Sequence, residues 1–132
     1  MNNDLISITE NLAVQLIKKQ WLLTTAESCT GGWIAETITS IAGSSKWFER
    51  GFVCYSNLAK QEMLGVAPDL ILQHGAVSQE VAHALAAGAI KHSHAQVSIA
   101  VTGIAGPGGG SPTKPVGTVW FGWAYPTQDK LQ

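Results

Sequence analysis

Ser28 and Lys60 are the two residues whose types and settings point to joint chemistry. The run Thr25-Ala26-Glu27-Ser28-Cys29-Thr30-Gly31-Gly32 follows the apolar segment Trp21-Leu22-Leu23-Thr24 and precedes Trp33-Ile34-Ala35-Glu36-Thr37-Ile38. The first reads as a buried strand and the second as a helix. A serine at such a strand-to-helix turn presents its hydroxyl at the edge of a sheet. The first helical turn also has N–H groups without internal partners. One short segment would then supply a nucleophile and, through the N–H groups near Cys29 to Gly31, a place for an oxyanion.

A serine needs a base to take its proton. None of the four histidines stands in a motif with Ser28. His74 precedes a glycine in a turn, His83 lies within a helical pattern, and His92 and His94 flank Ser93 at that helix's end. All four read as surface or rim residues. No cysteine or carboxylate joins His92 and His94 at ligand spacing, so no metal is expected. A lysine can replace histidine when burial lowers its pKa. Lys60 lies in Tyr55-Ser56-Asn57-Leu58-Ala59-Lys60, just past a second predicted strand. If that strand runs parallel to the first, both end at the sheet edge where open α/β folds bind ligands. By residue type alone, Lys60 reads as an exposed helical lysine and Tyr55 as a half-buried strand aromatic.

A third segment, Thr102-Gly103-Ile104-Ala105-Gly106-Pro107-Gly108-Gly109-Gly110, follows another predicted strand and can reach the same edge. Its glycines permit close backbone approach to a ligand. No Gly-Lys-Ser/Thr follows, and a strand rather than a helix comes next, which excludes a phosphate-binding P-loop and a dinucleotide fingerprint. Cys29 reads as a small packing residue. Glu27 reads either as a general base or as a hydrogen-bond acceptor within the turn.

The elements that must position these groups follow from periodicity. Leu5, Ile8, Leu12, Leu16 and Lys19 mark an amphipathic helix, capped by Asn3 or Asp4, or by a Ser7–Glu10 capping box one turn later. Strands are expected at 21–27, 51–56, 97–101 and 117–125. Helices are expected at 31–41, 57–64 and 79–91, with a turn or short helix at 68–72. Gly65 ends one helix and Ser78 caps another. Helices alternating with short apolar strands indicate a three-layer α/β/α fold with a mixed, largely parallel sheet, its last two strands antiparallel. Residues 126–132 read as a polar, turn-like tail.

Composition narrows the function classes. The 132 residues are 45% hydrophobic and 13% charged, enough for one packed domain and too little charge for a disordered chain. The net charge is −1, with Arg50 the single arginine, which argues against a nucleic-acid surface. The sequence carries no membrane-length apolar run and no signal-like start, so a cytoplasmic protein with reduced cysteines is expected.

Seven segments together resemble the CinA C-terminal domain family, the nicotinamide-nucleotide amidases. They are residues 25–32, 43–45, 48–53, 55–57, 74–78, 102–107 and 114–119, and the likeness runs from about residue 5 to 125. The resemblance implies a single domain over 1–132 that converts nicotinamide mononucleotide and water to nicotinate mononucleotide and ammonia. It implies a serine–lysine mechanism with no cofactor and no required metal. Ser28 matches the family nucleophile, Lys60 its base, and Tyr55 a tyrosine close to both. Thr102 and Gly103 match the loop that closes the pocket, and Thr30, Gly31, Gly32, Asn57 and Gly106 join them as substrate-binding residues. Family members are expected to continue for roughly thirty residues more, through a strand, a Gly-Asp-Arg-like motif and a helix. The motif's arginine has no match after Tyr125, and Arg50 matches a different family position. Two readings follow: an amidase of a small-molecule nucleotide, or a nucleotide-binding or partner-docking domain that does not turn over. An open strand edge also leads us to expect a homodimer.

Overall fold

The computed structural model describes residues 2–127 and 130–131. Helix α1 (Asn3–Lys19) leads into β1 (Leu23–Glu27), α2 (Trp33–Thr39), β2 (Phe48–Val53), α3 (Asn57–Leu64), α4 (Pro68–His74), α5 (Gln79–Lys91), β3 (Val97–Gly103) and β4 (Val119–Ala124). The sheet order is β2-β1-β3-β4. β1 is parallel to β2 and to β3, and β4 is antiparallel to β3. Every residue of β1 is buried, because neighbours flank it in the sheet and helices cover both faces.

The period-2 alternation of β1 divides the core. Leu23 joins Ala13, Leu16, Ile38 and Trp47 under α1 and α2. Ala26 joins Val81, Leu85, Ala86 and Ala89 on the opposite face, with α3, α4 and α5. The result is the expected three-layer α/β/α arrangement. No described helix is long and apolar enough to cross a membrane.

Several boundaries differ from expectation. The side chain of Asn2 caps α1 by accepting the Asp4 N–H at 2.7 Å, so neither Asn3, Asp4 nor the Ser7–Glu10 pair forms the cap. The second strand lies at 48–53 rather than 51–56. Its charged residues Glu49 and Arg50 lie outside the expected strand, yet β2 is an edge strand, where charge is tolerated and guards against pairing with other chains. The chain turns into α3 because Ser56 Oγ accepts the Ala59 N–H at 2.9 Å. Within the tail, Pro126–Thr127 pairs with Lys130–Leu131 as β5 and β6, while Gln128, Asp129 and Gln132 lie outside the described residues.

Gly88 lets α5 lie against the end of α3. A Cβ there would stand 2.2 Å from the Leu64 carbonyl oxygen. An alanine ordinarily improves a helix by about 1 kcal/mol over glycine, and here the backbone clash reverses that sign. Gly88→Ala should destabilise the fold by about 1–3 kcal/mol, read as a lower midpoint in urea unfolding.

Candidate active site

The carboxyl ends of the parallel strands β1 and β3, together with the turn after β2, meet at one rim. Ser28 follows β1, donates its N–H to the Val101 carbonyl of β3 at 3.0 Å, and is 6% exposed. Cys54 continues the β2 side by donating its N–H to the Glu27 carbonyl at 2.9 Å. The next residue, Tyr55, points its carbonyl into the site. Ser28 Oγ lies 3.5 Å from that oxygen and Lys60 Nζ donates to it at 2.9 Å. One carbonyl therefore gathers the hydroxyl and the amine.

Lys60 is only 2% exposed. No described carboxylate forms an ion pair with it. Burial drives its pKa below the ordinary lysine value near 10.5, and the Cys54 and Cys29 sulfurs oppose this without prevailing. Burial likewise pushes both thiols up, against the nearby Lys60 amine. Both cysteines are unpaired.

The two groups open onto a cleft of about 230 Å³ lined by Ser28, Tyr55, Asn57, Lys60, Thr102 and Gly103, among others. Tyr55 contributes its carbonyl to the interior, while the residue as a whole is 71% exposed at the rim. Thr102 donates its hydroxyl to the Ala76 carbonyl at 2.9 Å, which ties the end of β3 to the segment between α4 and α5. Lys114 Nζ donates to the His74 carbonyl at 2.9 Å and ties the glycine loop to the end of α4.

Four of the expected substrate-binding residues do not line this cleft: Thr30, Gly31, Gly32 and Gly106. The Thr30 hydroxyl donates to Glu27 at 2.7 Å, and the Gly31 N–H donates to the Ser28 carbonyl at 3.1 Å. Gly31 therefore cannot serve an oxyanion with that group. Gly32 caps α2 at φ 108°, a conformation that favours glycine. Gly106 packs on Val116, and a Cβ there would stand 2.5 Å from its side chain. The first turn of α2 is also not open to a ligand, because Glu27 accepts the N–H groups of Ile34 at 2.8 Å and Ala35 at 3.0 Å. The backbone N–H groups of Cys29 and Thr30 lie close to the Cys29 thiol, and Cys29 itself lines the cleft. Sequence reasoning read Cys29 as a packing residue of the turn and did not single out Ala76, Val77 and Ala105, and the structure places all four on the cleft wall. The usable signal was position: each neighbours a motif residue, but apolar side chains advertise no chemistry.

A family model, that of the CinA C-terminal domain, matches residues 5–132, and the chain belongs to this family. The chain is 53% identical over 123 residues to the nicotinamide-nucleotide amidohydrolase PncC of Escherichia coli strain K12, covering 93% of this chain and 74% of that one. It is 50% identical over 119 residues to a CinA-like protein of Akkermansia muciniphila, covering 90% of this chain and 29% of the other. The fold superposes on the crystal structure of the competence/damage inducible protein CihA from Agrobacterium tumefaciens with a TM-score of 0.91 at 43% identity, over 100% of this chain and 79% of that one.

The lowered pKa of Lys60 has a consequence for stability. The unfolded chain keeps its lysine protonated up to the ordinary value, whereas the folded chain gives up that proton earlier. Between those two values the unfolded state binds more protons at Lys60, so the Lys60 contribution to stability rises with pH there, while the two raised thiols contribute in the opposite direction. Urea unfolding at a series of alkaline pH values should show the stability of the parent rising relative to that of Lys60→Met, in which the thiol contributions remain and the lysine's is gone. The methionine variant should be at least as stable as the parent at neutral pH.

Proposed function

We propose that the chain is an amidohydrolase that deamidates nicotinamide mononucleotide by a serine–lysine mechanism. The observation that carries this reading is the convergence of Ser28 Oγ and Lys60 Nζ on the Tyr55 carbonyl inside one cleft. The PncC relative supports the choice of substrate.

Neutral Lys60 takes the proton of Ser28 as Oγ attacks the carboxamide carbon. The new C–O bond forms while the carbonyl π pair moves to oxygen. The N–H groups of Cys29 and Thr30 hold that oxyanion, each contributing about 3 kcal/mol to the transition state. The intermediate collapses with cleavage of the C–N bond, and the Lys60 ammonium gives its proton to the leaving amide nitrogen, which departs as ammonia. Lys60 then takes a proton from water as the hydroxide attacks the acyl carbon, the bond to Ser28 Oγ breaks, and the Lys60 ammonium returns its proton to that oxygen, so that nicotinate mononucleotide leaves with Ser28 and neutral Lys60 restored.

The pyridinium charge activates the carboxamide for attack. The exposed ring of Tyr55 stands at the rim, where it meets the aromatic part of the substrate and assists the proton's passage. Asn57, Thr102 and Gly103 border the bound amide, and the glycine loop after Gly103 receives the phosphate.

Ammonia release from nicotinamide mononucleotide tests the reading. Ser28→Ala and Lys60→Met should each lower kcat by about a thousandfold or more with little change in fold, as expected for a nucleophile and its base acting together. Full activity in Ser28→Ala would rule out the covalent route. Binding of the nucleotide by the parent chain without ammonia release would favour a binding domain instead.

The reading extends to a homodimer built on the outer strand β4. Its Phe121 and Trp123 rings stack on each other with centroids 6.1 Å apart, and Trp123 is 56% exposed. Light scattering should give twice the chain mass, and Trp123→Glu should halve it. A monomer in the parent protein would end this extension.

A further inference from the structure

We propose that Glu27 is a positioning residue whose buried carboxylate holds the Ser28 turn and biases the cleft against the acid product. The inference rests on the amidase reading above. Glu27 is 1% exposed. Its carboxylate accepts three hydrogen bonds, from the Thr30 hydroxyl, the Ile34 N–H and the Ala35 N–H. These tie both ends of the turn 28–32 to one side chain. Glu27 and Ser28 are consecutive and face opposite sides of the sheet, so fixing one fixes the direction of the other.

The charge has a separate effect. The reaction converts a neutral carboxamide into a carboxylate next to Ser28. A second carboxylate buried one residue away, with no cation paired to it among the described residues, repels that product but not the neutral amide. Water screens such a repulsion poorly in a buried site, where charges several ångströms apart still differ in affinity by about fivefold to tenfold. The developing oxyanion meets the same field. Its covalent bond to Ser28 keeps it in place despite that cost, whereas the freed product can leave. The device therefore acts on product release.

Calorimetric titration in a Ser28→Ala background, which stops turnover, separates the two effects. Nicotinamide mononucleotide and nicotinate mononucleotide are each titrated into that protein and into versions that also carry Glu27→Gln, Glu27→Ala, Glu27→Asp or Thr30→Val. Glu27→Gln should tighten the acid nucleotide about fivefold to tenfold and leave the amide within twofold. Glu27→Asp keeps the charge and should keep the parent ratio of the two affinities, and Glu27→Ala, which also removes the charge, should shift the ratio as Glu27→Gln does and carries the test if the glutamine variant does not fold. Thr30→Val loosens the turn without changing charge and should move both nucleotides alike. An unchanged ratio in Glu27→Gln or Glu27→Ala, or an equal change of ratio in Glu27→Asp or Thr30→Val, overturns the proposal. If neither nucleotide binds Ser28→Ala, the amidase reading itself fails and this inference falls with it.

Discussion

Burying an amine without a counter-ion is the constraint on which the rest of the structure depends. Lys60 is buried at the wall of the cleft, and the partner its Nζ has is a neutral carbonyl, that of Tyr55. A charged ammonium in that setting would cost several kcal/mol. The amine form relieves the cost, and the amine form is the one that can take a proton. Burial and a lowered lysine pKa are thus a single property of the site. The fold maintains it by seating α3 firmly: Ser56 caps its start, and its end packs on α5 at Gly88, where any side chain would strike the Leu64 backbone.

The sheet supplies the second half of the arrangement through alternation. β1 is central and wholly buried, so its register cannot slip without exchanging two cores. Past its last residue the alternation continues, with Glu27 under α2 and Ser28 toward the Tyr55 carbonyl and Lys60. Hydrogen bonds to a buried charged group contribute about 1.5–3 kcal/mol each, and Glu27 accepts three. The Ser28 turn is therefore held from behind by a carboxylate and from the side by the ladder bonds of Ser28 and Cys54. The remaining walls are tied down by Thr102, which bonds the Ala76 carbonyl between α4 and α5, and by Lys114, which bonds the carbonyl of His74 at the end of α4.

Much of this was legible from local chemistry. Asn57–Leu64 and Gln79–Lys91 start and stop where their caps and glycines dictate, because capping is decided within a few residues. The antiparallel turn from β3 to β4 follows from a connection without a helix. The second strand was displaced by three residues because edge and interior strands carry different residues, and a sequence does not declare which strand is the edge. The oxyanion donors were drawn too broadly for a similar reason. The Gly31 N–H and the first turn of α2 are free in an isolated helix, but here Ser28 and Glu27 take them.

The sequence by itself determined the elements, their order, and the presence of a serine at a strand-to-helix turn with a lysine on the next helix but one. Those depend on periodicity, caps and glycine, which act over a few residues. Tertiary structure decided that Lys60 is buried rather than solvated and that Tyr55 serves the interior through its backbone while its ring stays at the rim. It also decided that Glu27 closes the end of α2. Each of these depends on which groups from distant segments compete for the same water-free space, and that competition is settled only when β1, β2 and β3 lie side by side.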